Sequence, residues 1–222
     1  MAQLEIKVTE DGSHTLYNPD LNEHYHSTHG AFQESKHVFI GAGLREASLT
    51  GKSLRILEVG FGTGLNCLLT LQESRRVGLL IEYLGLEPFP LQSELLLKLN
   101  YVSQADAGFS AYDFERIHSL TEGLMELEQG FRLIRSRAAV QSAMPEDLFD
   151  LIYFDAFAPD VQPEMWTADV FKKLFSILRP GGILVTYCAK GQVKRNMRGA
   201  GFRIEALPGP PGKREMTRGR RI

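Results

Sequence analysis

A short glycine-rich stretch, RILEVGFGTGLN at residues 55–66, constrains the fold of this chain more than any other feature. Residues 55–59 form an apolar run of β-forming residues that includes an acid at Glu58 and stops at Gly60. This pattern is typical of a buried strand that leads into a tight turn. A helical pattern of leucines begins at Leu65, so the glycines lie between a strand and a helix N-terminus. A backbone without Cβ atoms at this place allows a ligand to approach closely.

Two classes of ligand bind to turns of this kind, and the spacing favours one of them. Dinucleotide-binding folds use GxGxxG, with the pyrophosphate on the helix N-terminus. This chain instead reads ExGxGxG from Glu58, which resembles the first motif of class I S-adenosylmethionine (SAM) methyltransferases. A second acid, Glu87, follows the strand predicted over residues 81–86, where a carboxylate can accept hydrogen bonds from both ribose hydroxyls. The two acids favour a nucleoside ligand over the alternative, a glycine turn that only packs a helix on a sheet.

Length and composition are those of a single-domain globular protein. No Pro/Gly/Ser linker divides the 222 residues, so we expect one domain over residues 1–222. No apolar run approaches the ~20 residues of a membrane span, and the polar N-terminus is unlike a signal peptide. Cys67 and Cys188 both lie in apolar stretches and are expected to be reduced. These features predict a cytoplasmic protein without a membrane partner.

Charge is distributed unevenly along the chain. The net charge is −2, but the segment from Lys190 to the C-terminus has ten Lys or Arg and two Glu, a balance of +8 that leaves −10 for the rest. A basic segment of this kind suits contact with a polyanion such as nucleic acid. An ordinary solvated surface explains it equally well.

The first 50 residues precede the nucleotide-type strand and form an N-terminal extension. Leu4, Ile6 and Val8 alternate with polar residues before a DGSH turn, which predicts a β-hairpin. The segment that follows contains three histidines, His24, His26 and His29. No carboxylate or cysteine stands at a spacing that would complete a zinc site, so we predict no metal and interpret the segment as a cover for a ligand pocket.

After the glycine turn, predicted strands alternate with predicted helices. The predicted elements are a helix at residues 92–99, a helical packing segment at 102–130, strands at 131–134 and 149–154, a helix from Thr167 to Leu178 ended by RPGG, a strand at 183–188, a helix at 191–200 and a strand at 202–207. Alternation of this kind predicts an α/β fold with a doubly wound, mostly parallel sheet. Ligands bind beyond the carboxyl ends of such strands, so we expect Glu58, Glu87, Asp155 and the residues after Cys188 to meet at one edge.

Several longer motifs make the resemblance more specific. They are GFGTGLN, EPFPL, DAFAPDVQPEMWT (155–167), RPGGILVTYCAKGQVKR (179–195), AGF and PGPPGKREM (208–216). Together they resemble the bacterial tRNA wobble-uridine methyltransferases, namely the methyltransferase part of the bifunctional MnmC proteins and their standalone MnmD relatives. The resemblance implies a class I SAM-dependent methyltransferase fold with a hairpin extension. It also implies that the flavin oxidoreductase part of MnmC is missing, because 222 residues leave no room for it.

The activity that the resemblance implies is methyl transfer from SAM to the primary amine of 5-aminomethyl(-2-thio)uridine at the tRNA anticodon wobble position. The cofactor-binding residues that it implies are Glu58, Gly60, Phe61, Gly62, Thr63, Gly64, Asn66, Glu87 and Pro88. Ala138 and Ala139 stand where relatives commonly have an acid near the adenine, so we assign no adenine contact.

Asp155 is the residue expected to hold the amine and accept its proton, because it ends a strand before a loop of Ala, Phe and Pro. A role in bracing the loop is the structural alternative. The residues expected to contact the anticodon stem-loop are Phe157, Trp166 and Tyr187 for the base, and Lys190, Lys194, Arg195, Lys213 and Arg214 for the phosphates. Each aromatic residue fits a place in the core equally well.

Three rival functions remain open from the sequence. The first is a SAM-dependent methyltransferase acting on a small-molecule or protein amine, which the basic C-terminal segment disfavours. The second is a nicotinamide-dependent oxidoreductase, which ExGxGxG in place of GxGxxG disfavours. The third is a non-catalytic RNA-binding module, which would not require Glu58, Glu87 and Asp155 together.

Overall fold

Two β-sheets organise the protein, which we describe from a computed structural model that covers residues 3–104, 108–143, 145 and 148–222. The strands are β1 (Glu5–Val8), β2 (His14–Asn18), β3 (Glu23–His24), β4 (Ser53–Val59), β5 (Leu80–Leu86), β6 (Gly123–Glu128), β7 (Phe131–Ser136), β8 (Phe149–Phe154), β9 (Leu178–Thr186), β10 (Arg203–Pro208) and β11 (Glu215–Arg220). The first three form a small antiparallel sheet, and the other eight form the main sheet in the order β10-β11-β9-β8-β4-β5-β7-β6.

The middle of the main sheet is parallel and its edges are antiparallel. β9, β8, β4, β5 and β7 run in the same direction, whereas β6, β10 and β11 pair antiparallel with their neighbours. The carboxyl ends of the five parallel strands therefore meet at one edge, as predicted. The α/β fold with a mostly parallel sheet and an N-terminal hairpin is confirmed.

Helices cover both faces of the main sheet. They are α1 (Ala31–Ser35), a π-helical continuation (Lys36–Arg45), α2 (Leu65–Val77), α3 (Ser93–Leu96), α4 (Ala111–Ser119), α5 (Ala168–Ser176) and α6 (Gly191–Gly199), with 3₁₀ turns at Tyr101–Ser103 and Pro163–Trp166. Alternate residues of β4 serve opposite faces: Ile56 packs in the cluster that contains Leu68 of α2, and Leu57 packs in the cluster that contains Phe171 of α5. A strand that is buried on both faces needs apolar residues at consecutive positions. This is why β4 and β8 are apolar along most of their length.

The helix boundaries follow from capping groups in the sequence. Thr167 accepts a hydrogen bond from the backbone N–H of Val170 and begins α5, as predicted. Ser110 and Asp113 form a reciprocal capping box at the start of α4. Within the described residues, no helix is long and apolar enough to cross a membrane.

Two local predictions were wrong, and two elements were not predicted. The helical segment predicted at 102–130 contains α4, but its last part is the edge strand β6, where Leu124 is half exposed. Residues 105–107 of that segment lie outside the described part. The helix predicted to continue to Leu178 ends at Ser176, and RPGG lies within β9 as an irregularity in its pairing with β8. Neither β11 nor the helix that begins at Ala31 was predicted.

Candidate active site

A cavity of about 1190 Å³ lies at the carboxyl edge of the parallel strands. Residues that directly follow four strands line it: Gly60 after β4, Glu87 after β5, Asp155 after β8 and Tyr187 after β9. Small-molecule sites typically occupy ~300–1,000 Å³, so this cavity has room for a cofactor and for part of a second ligand. Glu87 and Asp155 therefore meet at one edge as predicted, whereas Glu58 and the residues directly after Cys188 do not line the cavity.

The glycine turn after β4 forms one wall of the cavity. The backbone N–H groups of Gly60 and Phe61 both donate to the carbonyl oxygen of Leu86, each across 3.1 Å, which joins the turn to the end of β5. Gly60 has a φ of 88°, and a Cβ atom there would lie 2.5 Å from the carbonyl oxygen of Asp155. Only glycine therefore allows the turn after β4 and the loop after β8 to lie so close together.

Glu87 lies against the same turn. Its Oε2 accepts the backbone N–H of Gly62 at 2.9 Å, and its Oε1 accepts the N–H of Phe89 at 3.0 Å. Burial raises the pKa of this carboxyl above its usual range. Each oxygen keeps a second lone pair that can accept a hydroxyl of a ribose. Pro88 and Thr63 also line the cavity, whereas Gly64 lies behind the turn against Ile117 and is not in the lining.

Asn66 connects the two remaining acids of the site. Its side-chain Nδ2 donates to Glu58 Oε1 and to Asp155 Oδ2, each at 2.9 Å. Glu58 is fully buried and does not line the cavity; its other oxygen accepts the hydroxyl of Tyr83 at 2.7 Å. Burial raises the pKa of Glu58 to about 8. Glu58 is therefore placed to orient Asn66 and, through it, Asp155, and it cannot touch a ligand in the cavity directly.

Asp155 lines the cavity directly after β8. Its backbone N–H donates to the carbonyl oxygen of Val59, which fixes the loop after β8 to the end of β4. Burial raises the pKa of its side chain to about 7, and the nearby Glu34 acts in the same direction. A carboxyl with a pKa near neutrality can accept and release a proton under physiological conditions.

Aromatic residues form the wall next to Asp155. The rings of Tyr25 and Phe157 meet edge to face with centroids 5.0 Å apart, and the hydroxyl of Tyr187 donates to the carbonyl oxygen of Ala156 at 2.9 Å. All three rings line the cavity. Trp166 does not: it is buried, and its Nε1 donates to the carbonyl oxygen of Phe157 at 2.8 Å. A place in the core was the alternative that the sequence left open for Trp166. Its hydrogen bond to the carbonyl oxygen of Phe157 supports the loop that carries that residue.

The predicted phosphate-binding residues do not form one group. Lys190 pairs with Asp160, and Lys194 pairs with Glu215. Lys213 is turned towards the cavity, which it lines. Arg195 donates to Gln192 on the exposed side of α6, and Arg214 is exposed. Within the described residues, neither arginine has an ion-pair partner at 4.0 Å or less, so these two keep the exposure that a phosphate contact requires.

The histidines of the N-terminal segment lie in different environments. His26 is buried, and its Nε2 lies 2.8 Å from Thr63 Oγ1, which links the segment to the glycine turn; burial lowers its pKa to about 4. His24 lines the cavity, and His29 lies near Glu10. In the part of the chain that the structure describes, no group of three His, Cys, Asp or Glu side chains could hold a metal ion.

Tyr25 and Glu34 are among the lining residues that the sequence did not predict. Tyr25 covers the turn, because a Cβ atom on Gly62 would lie 3.3 Å from its ring. Tyr25 lies between His24 and His26, in the segment that was expected to cover a ligand pocket. An aromatic side chain in that segment was the sequence signal that could have identified it. Glu34 is 6% exposed and had no local signal, because its partner Lys213 lies 179 positions away. Ala139, one of the alanines in the adenine region, also lines the cavity.

Comparison with known proteins shows which proteins this chain is similar to. A family model described as S-adenosyl-L-methionine-dependent methyltransferase matches residues 121–222. A crystal structure of MnmC2 from Aquifex aeolicus superposes on 99% of this chain and 70% of that chain, with a TM-score of 0.82 and 25% sequence identity. The C-terminal part of the chain is thus similar to SAM-dependent methyltransferases, and the whole chain is similar in fold to MnmC2.

Sequence relatives point to one branch of these methyltransferases. The tRNA 5-methylaminomethyl-2-thiouridine biosynthesis bifunctional protein MnmC of Cupriavidus necator is 33% identical over 90% of this chain and 32% of its own length. The protein of that name from Cupriavidus metallidurans is 33% identical over 95% of this chain and 33% of its own length. This chain thus spans about a third of the length of these relatives. The resemblance to the MnmC methyltransferase family is confirmed.

Proposed function

We propose that this protein transfers the methyl group of SAM to the primary amine of 5-aminomethyl(-2-thio)uridine at the wobble position of tRNA. The observation that carries the proposal is the contact between Gly60 and Asp155, which places the cofactor turn and a proton-accepting carboxylate in one cavity. The names of the MnmC relatives support the substrate. A tRNA substrate also implies a cytoplasmic location.

The lining fits the cofactor. Glu87 offers lone pairs for the ribose hydroxyls, and the glycine turn leaves space that a Cβ atom would fill. Ala139 and Val140 provide an apolar surface at the end of β7 for a purine ring. SAM, when bound, supplies an electrophilic methyl group on a positively charged sulfur. The chain therefore needs only to hold the amine in line with that group and to manage its proton.

The proton is the main difficulty for an alkylamine. Such an amine has a pKa of about 10.4, so its neutral form is disfavoured by ~3.4 units at pH 7, which corresponds to roughly 4 to 5 kcal/mol. Asp155 attracts the ammonium form into the cavity and takes up the proton that it loses. A nearby cationic sulfur lowers the pKa of the amine and favours this transfer. The methylated product is again a cation, and Asp155 returns its proton to solvent.

Aromatic residues are placed to receive the base. Single-stranded RNA loops are recognised mainly by stacking of unpaired bases on aromatic side chains. Tyr25, Phe157 and Tyr187 border Asp155 and would contact the uracil ring when its aminomethyl group reaches the carboxylate. Arg195 and Arg214 remain exposed for the backbone phosphates of the anticodon stem-loop.

The test uses purified protein, SAM with a labelled methyl group, and bulk tRNA from a strain that accumulates 5-aminomethyl wobble uridine. After digestion, we expect label in 5-methylaminomethyl(-2-thio)uridine and nowhere else. Substrate treated with ribonuclease before the reaction is the control. Label that persists after this treatment would assign the activity to a small-molecule or protein amine. SAM binding without any label in nucleosides would contradict the proposal.

A further inference from the structure

The loop before β11 carries a half-buried lysine that lines the cavity. Lys213 Nζ is 2.6 Å from Glu34 Oε1, and the side chains of the two residues are 34% and 8% exposed. The second oxygen of Glu34 accepts the backbone N–H of Ser27 at 2.8 Å. Glu34 is therefore a nearly buried carboxylate whose charge is compensated by a single lysine.

Lys213 also contacts the wall next to the proposed catalytic carboxylate. Its Nζ lies 4.0 Å from the centroid of the Tyr187 ring, within the range of a cation–π interaction. The hydroxyl of Tyr187 donates to the carbonyl oxygen of Ala156, which directly follows Asp155. A continuous path of contacts thus leads from Glu34 through Lys213 and Tyr187 to the backbone beside Asp155.

We propose that Lys213 and Glu34 are positioning residues for the substrate amine. Lys213 cancels the charge of Glu34 and holds Tyr187 against the loop of Asp155. As a result, the neighbouring carboxylate of Glu34 does not compete with Asp155 for an ammonium group. This inference rests on the proposed function and adds to it the groups that direct a cationic amine to one acid. It also gives Lys213 a role inside the cavity in place of a phosphate contact.

The charges around Asp155 explain why both partners are needed. The titratable groups that act on it or respond to it are Glu34, Glu58, Tyr101, Tyr187 and Lys213. Glu34 raises the pKa of Asp155 and Lys213 lowers it. Without Lys213, the carboxylate of Glu34 would act on Asp155 without its lysine partner, which favours the protonated form of Asp155 and offers the amine a second, unproductive partner.

The test compares Lys213→Met with the double variant Lys213→Met/Glu34→Gln. In Lys213→Met we expect the acid limb of the pH–rate profile to move up by ~1 unit, with a turnover loss of about tenfold below that limb, because an unpaired like charge is left near Asp155. The double variant removes both charges and is expected to return the limb to its wild-type position. Lys172→Met, which removes a surface lysine paired with Asp169, is the control and should not move the limb.

Two measurements keep this inference separate from the proposed function. The carboxyl carbon of Asp155, labelled with ¹³C and assigned with Asp155→Asn, should titrate at higher pH in Lys213→Met and return in the double variant. If this holds while the wild-type protein methylates no tRNA, the proposed function fails and the charge pairing stands. If tRNA is methylated but Asp155 titrates identically in every variant, the inference is overturned. Should Lys213→Met fail to fold, a double variant whose limb differs from that of the wild type would equally overturn it.

Discussion

The side-chain amide of Asn66 donates a hydrogen bond to Asp155 across 2.9 Å, while its second N–H holds the buried Glu58. Asn66 lies in the first turn of α2, directly after the glycine turn. The helix that begins at the cofactor turn therefore also orients the proposed catalytic carboxylate. Asn66 thus links the glycine turn after β4 to the loop after β8.

Replacing Asn66 with Ala should change both stability and pH dependence. The substitution removes the donor that Glu58 and Asp155 share, which costs about 1–3 kcal/mol of the free energy of unfolding. It also removes a hydrogen bond that lowers the pKa of Asp155, so the acid limb of the pH–rate profile should move above its wild-type position. Urea unfolding and pH-dependent turnover measure the two effects.

A matched control for this variant is Asn196→Ala. Asn196 donates to the carbonyl oxygen of Trp166 at 2.8 Å and lies outside the cavity. Its loss should cost stability without moving the acid limb. Identical pH profiles for the two variants would show that Asn66 does not act on Asp155.

Asp155→Asn should remove most of the methyl transfer and leave cofactor binding intact. General acid–base groups typically contribute ~10²–10⁴-fold to a rate, so a loss of that size in kcat is expected. In the wild type, activity should rise with pH through about 7, because the carboxylate is the active form and its pKa is raised to that value. The variant should lose this limb. Single-turnover rates with labelled SAM, together with calorimetric SAM binding, test the prediction, and an unchanged kcat would contradict it.

Glu87→Ala should weaken SAM binding. Hydrogen bonds to a charged group contribute ~1.5–3 kcal/mol, so loss of the ribose contacts predicts a Kd higher by roughly 10–100-fold. Glu82→Ala is the control, because Glu82 lies on β5, which leads to Glu87, but pairs with Arg55 outside the cavity. Titration calorimetry with SAM compares the two, and equal affinities would argue against a ribose contact at Glu87.

The sequence predicted the parts of the site that depend on local pattern. β4 and β8 are apolar runs that end in Gly60 and Asp155, and parallel strands bring such ends together. β11 was missed because its buried positions, Met216, Thr217 and Gly219, do not form an alternating apolar pattern.

Contacts between distant segments could not be read from the sequence. Lys213 belongs to a basic stretch and looked like a phosphate ligand, but Glu34 draws it into the cavity from 179 positions away. Tyr25 likewise reaches the glycine turn only because the hairpin folds over it. Such pairings depend on how the N-terminal extension and the last loop pack against one sheet edge, which no local pattern encodes.

Glu58→Gln should make stability less dependent on pH. Burial raises the pKa of Glu58 from its usual value to about 8, so the folded state binds a proton that the unfolded state has released between about pH 4.5 and 8. Stability should therefore fall as pH rises through this window in the wild type. Glutamine has no charge to bury, so the variant should gain stability relative to the wild type at pH 8 to 9. Urea midpoints at pH 5, 7 and 9 measure the difference, and parallel curves for the two proteins would contradict the prediction.

Gly60→Ala should disrupt the cavity, whereas Gly78→Ala, at another glycine with a positive φ, should not. Gly60 and Gly78 have φ values of 88° and 68°, so alanine at either position costs ~1–2 kcal/mol of backbone strain. At Gly78 a Cβ atom meets nothing within 4 Å, whereas at Gly60 it would lie 2.5 Å from the carbonyl oxygen of Asp155. The turn after β4 and the loop after β8 must then move apart. We expect Gly78→Ala to lose only the strain energy and to bind SAM normally, and Gly60→Ala to lose more stability and most SAM affinity. Equal unfolding free energies and equal SAM affinities in the two variants would show that the close approach of Gly60 to Asp155 is not required.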